Sequence, residues 1–349
     1  MTPTINGQSL TRVKLQSFTT FSDLDLPLSP GLNVFVGANG TGKTHLMKVC
    51  YAACDVSSKP EISFVEKLVR LFLPQKRAPG RLVKRQKGSI KAIAEVHRNS
   101  VKLQTSFSNH IEKTDSPKIN TVGAKRWVEE PIKSVYIPVK DMLANAPGFR
   151  SLYEEREIHF EEVYADILSK ACLPVLRGPM DSLRKDLLKE LQNKIGGKVE
   201  IKNEEFFLRN SQGNLEFTLL AEGMRKLGLL WLLIQNGTLQ SGSALFWDEP
   251  ETNLNPRLLG TVIEILLQLQ RTGVQIFLAT HNYVILKEID LRMESNDKVA
   301  FHSLYKNEKD EIACHTTQTY LDIHPNAIAQ TFTDLYDREI ERSFRKPGS

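Results

Sequence analysis

The sequence predicts an α/β fold: a mixed sheet whose parallel strands are joined by crossover helices, with an N-terminal antiparallel β part and a mostly helical insertion. Three observations predict it. In the second half of the chain, apolar runs of strand length (Ala244–Trp247, Val274–Ala279) alternate with helical patterns. The opening residues instead alternate at period two, as half-buried antiparallel strands do. Between them, helical periodicity dominates from Leu143 to about Gln192. With 349 residues, 41% hydrophobic and 25% charged, the chain can build one large α/β domain with an insertion, or two modest domains.

The elements follow in order. Arg12–Phe18 alternates, and Phe21–Leu28 alternates through Phe21, Leu24, Leu26 and Leu28, so both read as strands. Asn33–Val36 is short and apolar, as in a strand buried on both faces. A glycine-rich loop leads into a helix from Lys43 to about Ala53. Residues 55–90 read as irregular apart from a helix over Phe64–Leu73, and KRAPGRLVKRQKG reads as a turn-prone basic loop. Ser89–Val96 and Val101–Phe107 pair as a hairpin across Arg98-Asn99-Ser100. Lys133–Ile137 adds a strand closed by Pro138. Short strands at Val199–Ile201, Phe206–Arg209 and Leu215–Phe217 precede the alternating region, whose helices run over about Gly223–Gln235, Arg257–Arg271 and Tyr283–Ile289. Strands at Val299–Leu304 and Glu311–His315 and a helix over Ala327–Phe344 complete the reading. Phe206, Phe207 and Trp231 are expected in the core. No heptad pattern is sustained enough for a coiled coil.

Charge is unevenly placed. Nine cations (Lys67, Arg70, Lys76, Arg77, Arg81, Lys84, Arg85, Lys87 and Lys91) fall in a stretch without an acidic residue, and they outnumber the chain's net charge of +5, so the remainder is acidic. Such a segment is a candidate for nucleic-acid phosphates, although little aromatic interleaving accompanies it. The acidic run Glu154, Glu155, Glu157, Glu161, Glu162 and Asp166 is expected to be a solvated helix face, or else a docking surface for a basic partner. Four cysteines are scattered with no C-x-x-C pair and suit a reducing compartment. No apolar run reaches bilayer-spanning length and no secretory leader is visible, so no membrane association and a cytoplasmic location are expected.

The sharpest signal is Gly37-Ala38-Asn39-Gly40-Thr41-Gly42-Lys43-Thr44, which fits G-x-x-x-x-G-K-[ST] and sits between an apolar strand and a helix. Glycines let backbone N–H groups turn onto phosphates, and the helix start adds its positive end. Lys43 is expected at the β- and γ-phosphates of ATP and the Thr44 hydroxyl at Mg²⁺. A second apolar strand runs into Asp248-Glu249-Pro250-Glu251: Asp248 is expected to hold Mg²⁺, and Glu249 to take a proton from, or orient, the attacking water. His281 follows the next strand, VQIFLAT, where a side chain can reach the γ-phosphate.

These three features, in this order, resemble the ABC ATPase family. The words around them, GLNVFVGANGTGKT, FWDEPETNLNP and LATHN, look like its SMC/RecF/OLD branch, and especially the small stand-alone ATP-binding proteins of prokaryotes, the AAA_15/AAA_21 type. The resemblance covers about 1–55 and 215–290. It implies a signature motif opening a helix, matched by Leu220-Ala221-Glu222-Gly223-Met224-Arg225-Lys226, in which Ala221 replaces the usual Ser, leaving Glu222 and the Gly223 backbone to meet phosphate. Asn253-Leu254-Asn255-Pro256 resembles the family's interface-crossing loop. The glutamine loop has no clear match; the segment after SVYIP carries Lys140-Asp141 and no glutamine.

The resemblance implies a dimer that sandwiches ATP between the phosphate loop of one copy and the signature helix of the other. It divides the chain into an ATPase core, 1–55 and 215–349, and a 56–214 segment of lobe strands plus insertion, with the basic loop at 67–91 and the helical part at about 141–195. Lys43 and Gly223 stand 180 residues apart, more than a transporter ATPase subunit needs, and the long coiled coil of an SMC protein is absent. The expected role is an ATP-hydrolysing switch that regulates or carries an effector, such as a separate nuclease, in anti-phage defence or a toxin–antitoxin system. A RecF-like DNA-repair ATPase is the alternative. A transporter subunit and a non-hydrolysing scaffold are further rivals.

Overall fold

Strands that are apolar at every position need cover on both faces, and that need sets the architecture. The computed structural model describes residues 9–156, 158–178 and 180–344. Strands β1 (Arg12–Phe18) and β2 (Phe21–Pro27) form the first hairpin; β3 (Leu32–Val36) crosses to the centre and feeds helix α1 (Lys43–Ser57), followed by α2 (Phe64–Phe72). Strands β4 (Lys91–Arg98), β5 (Val101–Ser108) and β6 (Asn120–Val122) return to that hairpin and complete an antiparallel sheet of order β2-β1-β4-β5-β6. A single-turn helix α3 (Ala124–Trp127) leads to β7 (Ser134–Ile137). The insertion consists of α4 (Phe149–Arg156), α5 (Glu162–Ala171) and α6 (Ser182–Ile195), then β8 (Lys198–Lys202), β9 (Glu205–Asn210) and β10 (Gly213–Glu216), which form their own antiparallel sheet. The remainder alternates: α7 (Glu222–Gln235), β11 (Ala244–Asp248), α8 (Pro256–Arg271), β12 (Gln275–Thr280), α9 (Tyr283–Arg292), β13 (Val299–Lys306), β14 (Ile312–Thr317) and α10 (Ala327–Phe344).

The central sheet has order β14-β13-β3-β12-β11-β7, with β14 antiparallel on one edge and every other pairing parallel. Successive side chains alternate between its faces. Leu32, Val34, Val36, Leu245, Trp247, Ile276 and Leu278 join the core beneath α5 to α9, whereas Phe35, Phe246, Phe277 and Ala279 join the core shared by α1 and the antiparallel sheet. Strand β7 is drawn into this sheet from within the 56–214 segment and forms its far edge. Phe206 and Trp231 are buried as expected, whereas Phe207 is only partly covered. Among the described residues no helix is long and apolar enough to cross a membrane.

Two short elements had no signal in the sequence. Strand β6 has all three residues exposed, so no apolar alternation marks it. Helix α3 exists around Trp127, whose fully buried indole donates to the Ala53 carbonyl at 2.7 Å and lies under the Arg98 guanidinium. The segment expected to be a loose basic loop is also tied down: Gly80 N–H donates to Ile111 and Lys84 N–H to Ser17, both at 2.8 Å, and Leu82 and Val83 are buried.

Part of the expected solvated acidic face and part of the expected basic surface meet in one largely buried network, whereas Glu154 and Glu155 are exposed. Lys67 is wholly buried, with Nζ 2.7 Å from Asp55, 2.9 Å from Glu162 and 2.6 Å from Asp166. Lys59 reaches Asp55 and Asp166, Arg70 reaches Glu162, and the Tyr51 hydroxyl donates to Asp166 at 2.7 Å. Lys67 and Arg70 are therefore committed internally, and Glu162 and Asp166 are not a solvated face; Glu157 lies outside the described residues. Apolar packing on both sides of α2 draws these groups inward, where charges persist only when paired. Burial alone would raise the Asp166 carboxyl, but Lys67 and Lys59 outweigh it and hold it below its ordinary value. Its contribution is thus complete above the unfolded carboxylate range, near pH 4, and is lost as pH falls through the folded value.

Lys67→Met removes the one cation shared by three buried carboxylates, leaving them only the partial cover of Lys59 and Arg70. We expect a loss of about 3–5 kcal/mol in denaturant unfolding at neutral pH, and a smaller loss at pH below 4.

Candidate functional site

The site is assembled where β3, β11 and β12 end. Their parallel registers pair Val36 with Thr280 and Ala279 with Asp248, so the three carboxyl ends share one edge of the sheet, where α/β folds bind ligands. From that edge the chain turns through Gly37–Gly42 into α1. Gly37, Gly40 and Gly42 have φ of +150°, +80° and +90°. A Cβ on Gly37 would lie 2.3 Å from the Leu304 carbonyl oxygen, and one on Gly42 would lie 2.5 Å from the Phe21 ring, so the tight turn excludes larger residues. Ala38, Asn39 and Gly40 face outward, whereas Thr41 is buried and its hydroxyl donates to the Ala38 carbonyl at 2.9 Å. The first turn of α1 has no acidic residue to oppose its positive end.

Lys43 is buried and folds back on the loop, its Nζ donating to the Gly37 carbonyl at 2.8 Å and to that of Ala38 at 3.0 Å. Burial lowers its pKa, against the attraction of Glu249, Asp248 and Glu251. The cation and the three carboxylates therefore share one field.

Asp248 ends β11 almost fully buried. The Tyr136 hydroxyl donates to Oδ2 at 3.0 Å, whereas Oδ1 is buried with no hydrogen-bond partner among the described residues. Burial raises the Asp248 pKa, and the neighbouring Thr44 and Tyr136 hydroxyls oppose that rise. Glu249 adopts φ +47°, a left-handed conformation disfavoured for a non-glycine residue, while its N–H donates to the Ala279 carbonyl at 2.9 Å. The Glu249 carboxylate Oε1 lies 3.2 Å from His281 Nδ1. Glu251 builds the opposite wall: Oε1 accepts from the Thr280 hydroxyl at 2.7 Å and from the His281 N–H at 3.1 Å.

The structure thus brings Lys43, Thr44, Asp248, Glu249 and His281 together. Residues Ala221, Glu222 and Gly223 form a second assembly. Ala221 is the N-cap of α7 and offers no side-chain cap. Glu222 accepts from Asn253 at 2.8 Å, Lys226 donates to the Thr252 carbonyl, and a Cβ on Gly223 would meet Leu254 at 3.0 Å. The helix start is therefore packed on the loop that follows Asp248–Glu251. The donor set fits a magnesium nucleotide: one orphaned carboxylate oxygen beside a Thr hydroxyl suits a cation that takes its other ligands from phosphates.

Residues 32–287, well over half of the chain, match the family described as "AAA domain, putative AbiEii toxin, Type IV TA system". The chain belongs to that family. The match spans both Gly37–Thr44 and the 248–281 strand ends. Two solved SMC heads share the fold: one bound to the C-winged helix domain of ScpA (TM-score 0.56, 11% identity, covering 90% of this chain and 99% of that one), and one with an extended coiled coil bound to the C-terminal domain of ScpA, derived from Pyrococcus furiosus (TM-score 0.51, 10% identity, 95% and 99%). At these identities the likeness concerns the fold alone. The DNA replication and repair protein RecF of Enterobacter sp. (strain 638) and that of Cronobacter sakazakii are each 49% identical over 43 residues; the chain spans about 12% of the length of these curated relatives. The AbiEii-type domain thus has a P-loop fold like that of the SMC head, and its likeness to RecF is local.

Three residues of this AbiEii-type site escape sequence reasoning. Tyr136 reads as one more aromatic in an apolar strand. Glu251 is visible in the acidic run, but its role at Thr280 and His281 depends on tertiary contact. Asp141, in the segment after SVYIP that carries no glutamine, accepts from Arg225 of α7 at 2.5 Å and from Leu143 N–H at 3.0 Å.

Gly37→Ala forces a Cβ against the Leu304 carbonyl. We expect a stability loss of about 1–3 kcal/mol together with weakened nucleotide binding; a variant that unfolds at the parental denaturant concentration contradicts the close approach.

Proposed function

We propose that this protein is an ATP-hydrolysing switch in which two copies close on ATP, and that it regulates or carries an effector in a bacterial defence or toxin–antitoxin system. The observation that supports it most is the convergence of Lys43, the half-satisfied Asp248 and the Glu249–His281 pair at one sheet edge. In this reading the backbone N–H groups of Gly37–Thr44 cradle the phosphates, and Lys43 leaves its own carbonyls for the β- and γ-phosphates. Thr44 and Asp248 hold Mg²⁺, which neutralises charge on the phosphates. Glu249 accepts a proton from the attacking water, and His281, held by Glu251 through its own backbone, keeps Glu249 oriented and faces the γ-phosphate. Ala221, Glu222 and the Gly223 backbone of the second copy close over the same phosphates from the start of α7.

Because half of the ligand contacts come from the other copy, ATP favours the pair, and hydrolysis releases it. The family description names an AbiEii toxin and a type IV toxin–antitoxin system, and the two SMC heads are bound to ScpA, a separate polypeptide; both support a switch that acts through a partner.

A RecF-like action on DNA is the second reading. Besides the local RecF identity, Lys76, Arg77, Arg81, Arg85, Lys87 and Lys91 remain exposed after Lys67 and Arg70 are withdrawn. That reading requires binding that weakens steeply with salt.

Glu249→Gln keeps the shape of the side chain and removes the base. Single-turnover assays are expected to show phosphate release slowed by about 100-fold or more, with an ATP-dependent dimer persisting in size-exclusion chromatography. Release at the parental rate would overturn the assignment of Glu249.

A further inference from the structure

Asp248 Oδ2 accepts from the Tyr136 hydroxyl, Oδ1 has no hydrogen-bond partner among the described residues, and the Thr44 hydroxyl lies beside the carboxylate; Tyr136 comes from a different part of the chain. In the β11–β7 register Tyr136 sits beside Phe246. Phe246 and Asp248, two residues apart, share a face of the sheet. The phenol of Tyr136 lies along that face and bridges the step between them, about 6.6 Å, so that its hydroxyl meets Oδ2 at 3.0 Å. The ring cannot swing. It is 1% exposed, stacked on Phe246 with centroids 6.3 Å apart and set against Tyr51 at 5.4 Å. Tyr51 is fixed in turn by donating to Asp166 in the buried charge network.

We infer that Tyr136 is a positioning residue for Asp248: by holding Oδ2 it fixes the carboxylate plane and leaves Oδ1 as the oxygen presented to the divalent cation that accompanies the nucleotide. The inference rests on the proposed magnesium role of Asp248 and deepens it. Without the phenol, a carboxylate on the end of a strand rotates about its last bond and offers either oxygen. With it, one orientation is selected before any ligand arrives. Partners of this kind, hydrogen-bonded to a metal's carboxylate ligand, typically contribute 10- to 100-fold in metal affinity.

The test uses the full chain and a fluorescent non-hydrolysable ATP analogue, with affinity measured in EDTA and across a Mg²⁺ titration. In the unaltered protein Mg²⁺ tightens analogue binding; if it does not, the magnesium role of Asp248 fails before this inference is reached. Tyr136→Phe retains the ring. It is expected to leave affinity in EDTA within about threefold while raising the Mg²⁺ midpoint by about tenfold or more. Tyr136→Met removes the donor with different packing and is expected to shift the midpoint likewise, so the inference stays testable if either variant folds poorly. Tyr51→Phe removes a neighbouring buried hydroxyl that does not touch Asp248 and is expected to leave the midpoint in place. An unmoved midpoint in a folded Tyr136→Phe or Tyr136→Met protein, or an equal loss in EDTA and in Mg²⁺, overturns it.

Discussion

The registered ends of three parallel strands are the constraint on which the rest of this molecule depends. Strands β3, β11 and β12 are buried along their whole length, and apart from Asn33 and Gln275, which are hydrogen-bonded internally, their polar groups lie where they stop. Because they are parallel and in register, they stop together. The glycine turn, the Asp248–Glu251 run and the Thr280–His281 pair are therefore delivered to one edge by backbone hydrogen bonding, before any side chain contact is made. The field at that edge is made of opposites: one buried lysine faces three carboxylates, and the backbone passes through a left-handed turn at Glu249.

The insertion is tied to this edge by buried polar contacts as well as by packing. Helix α1 begins at the phosphate loop and carries Lys48, Tyr51 and Asp55, which meet Glu161, Asp166 and Lys67 of the insertion and of α2. On the other side, Asp141 after β7 grips Arg225 of α7. The strand ends are thus joined to the rest of the chain along α1, through the buried charges, and across Asp141, through Arg225 of α7. Buried charge networks of this kind gain little net stability over an apolar core, but they fix relative position because a broken pair is costly. That is the property a switch requires.

Much of this was legible in the sequence, and the reason is local. A glycine loop between an apolar strand and a helix has few other readings, and apolar runs ending in acids or histidine mark sheet edges. Every long element was visible because its periodicity is strong. What stayed hidden was set by tertiary burial. Lys67 and Glu162 carry the residue types of surface chains, and only the packing of α2 on α5 turns them inward. Strand β6 is wholly exposed, and α3 is held by one indole. Tyr136 is indistinguishable by sequence from Phe246 beside it, because its hydroxyl matters only where Asp248 happens to lie.

A crystal structure of the protein with a non-hydrolysable ATP analogue and Mg²⁺ tests the central claim most directly. The account predicts a triphosphate lying on the backbone amides of residues 39–44, with Lys43 turned from the Gly37 carbonyl towards the phosphates and the cation between Thr44 and Asp248 Oδ1. A nucleotide bound elsewhere, or a cation held without Asp248, would contradict it.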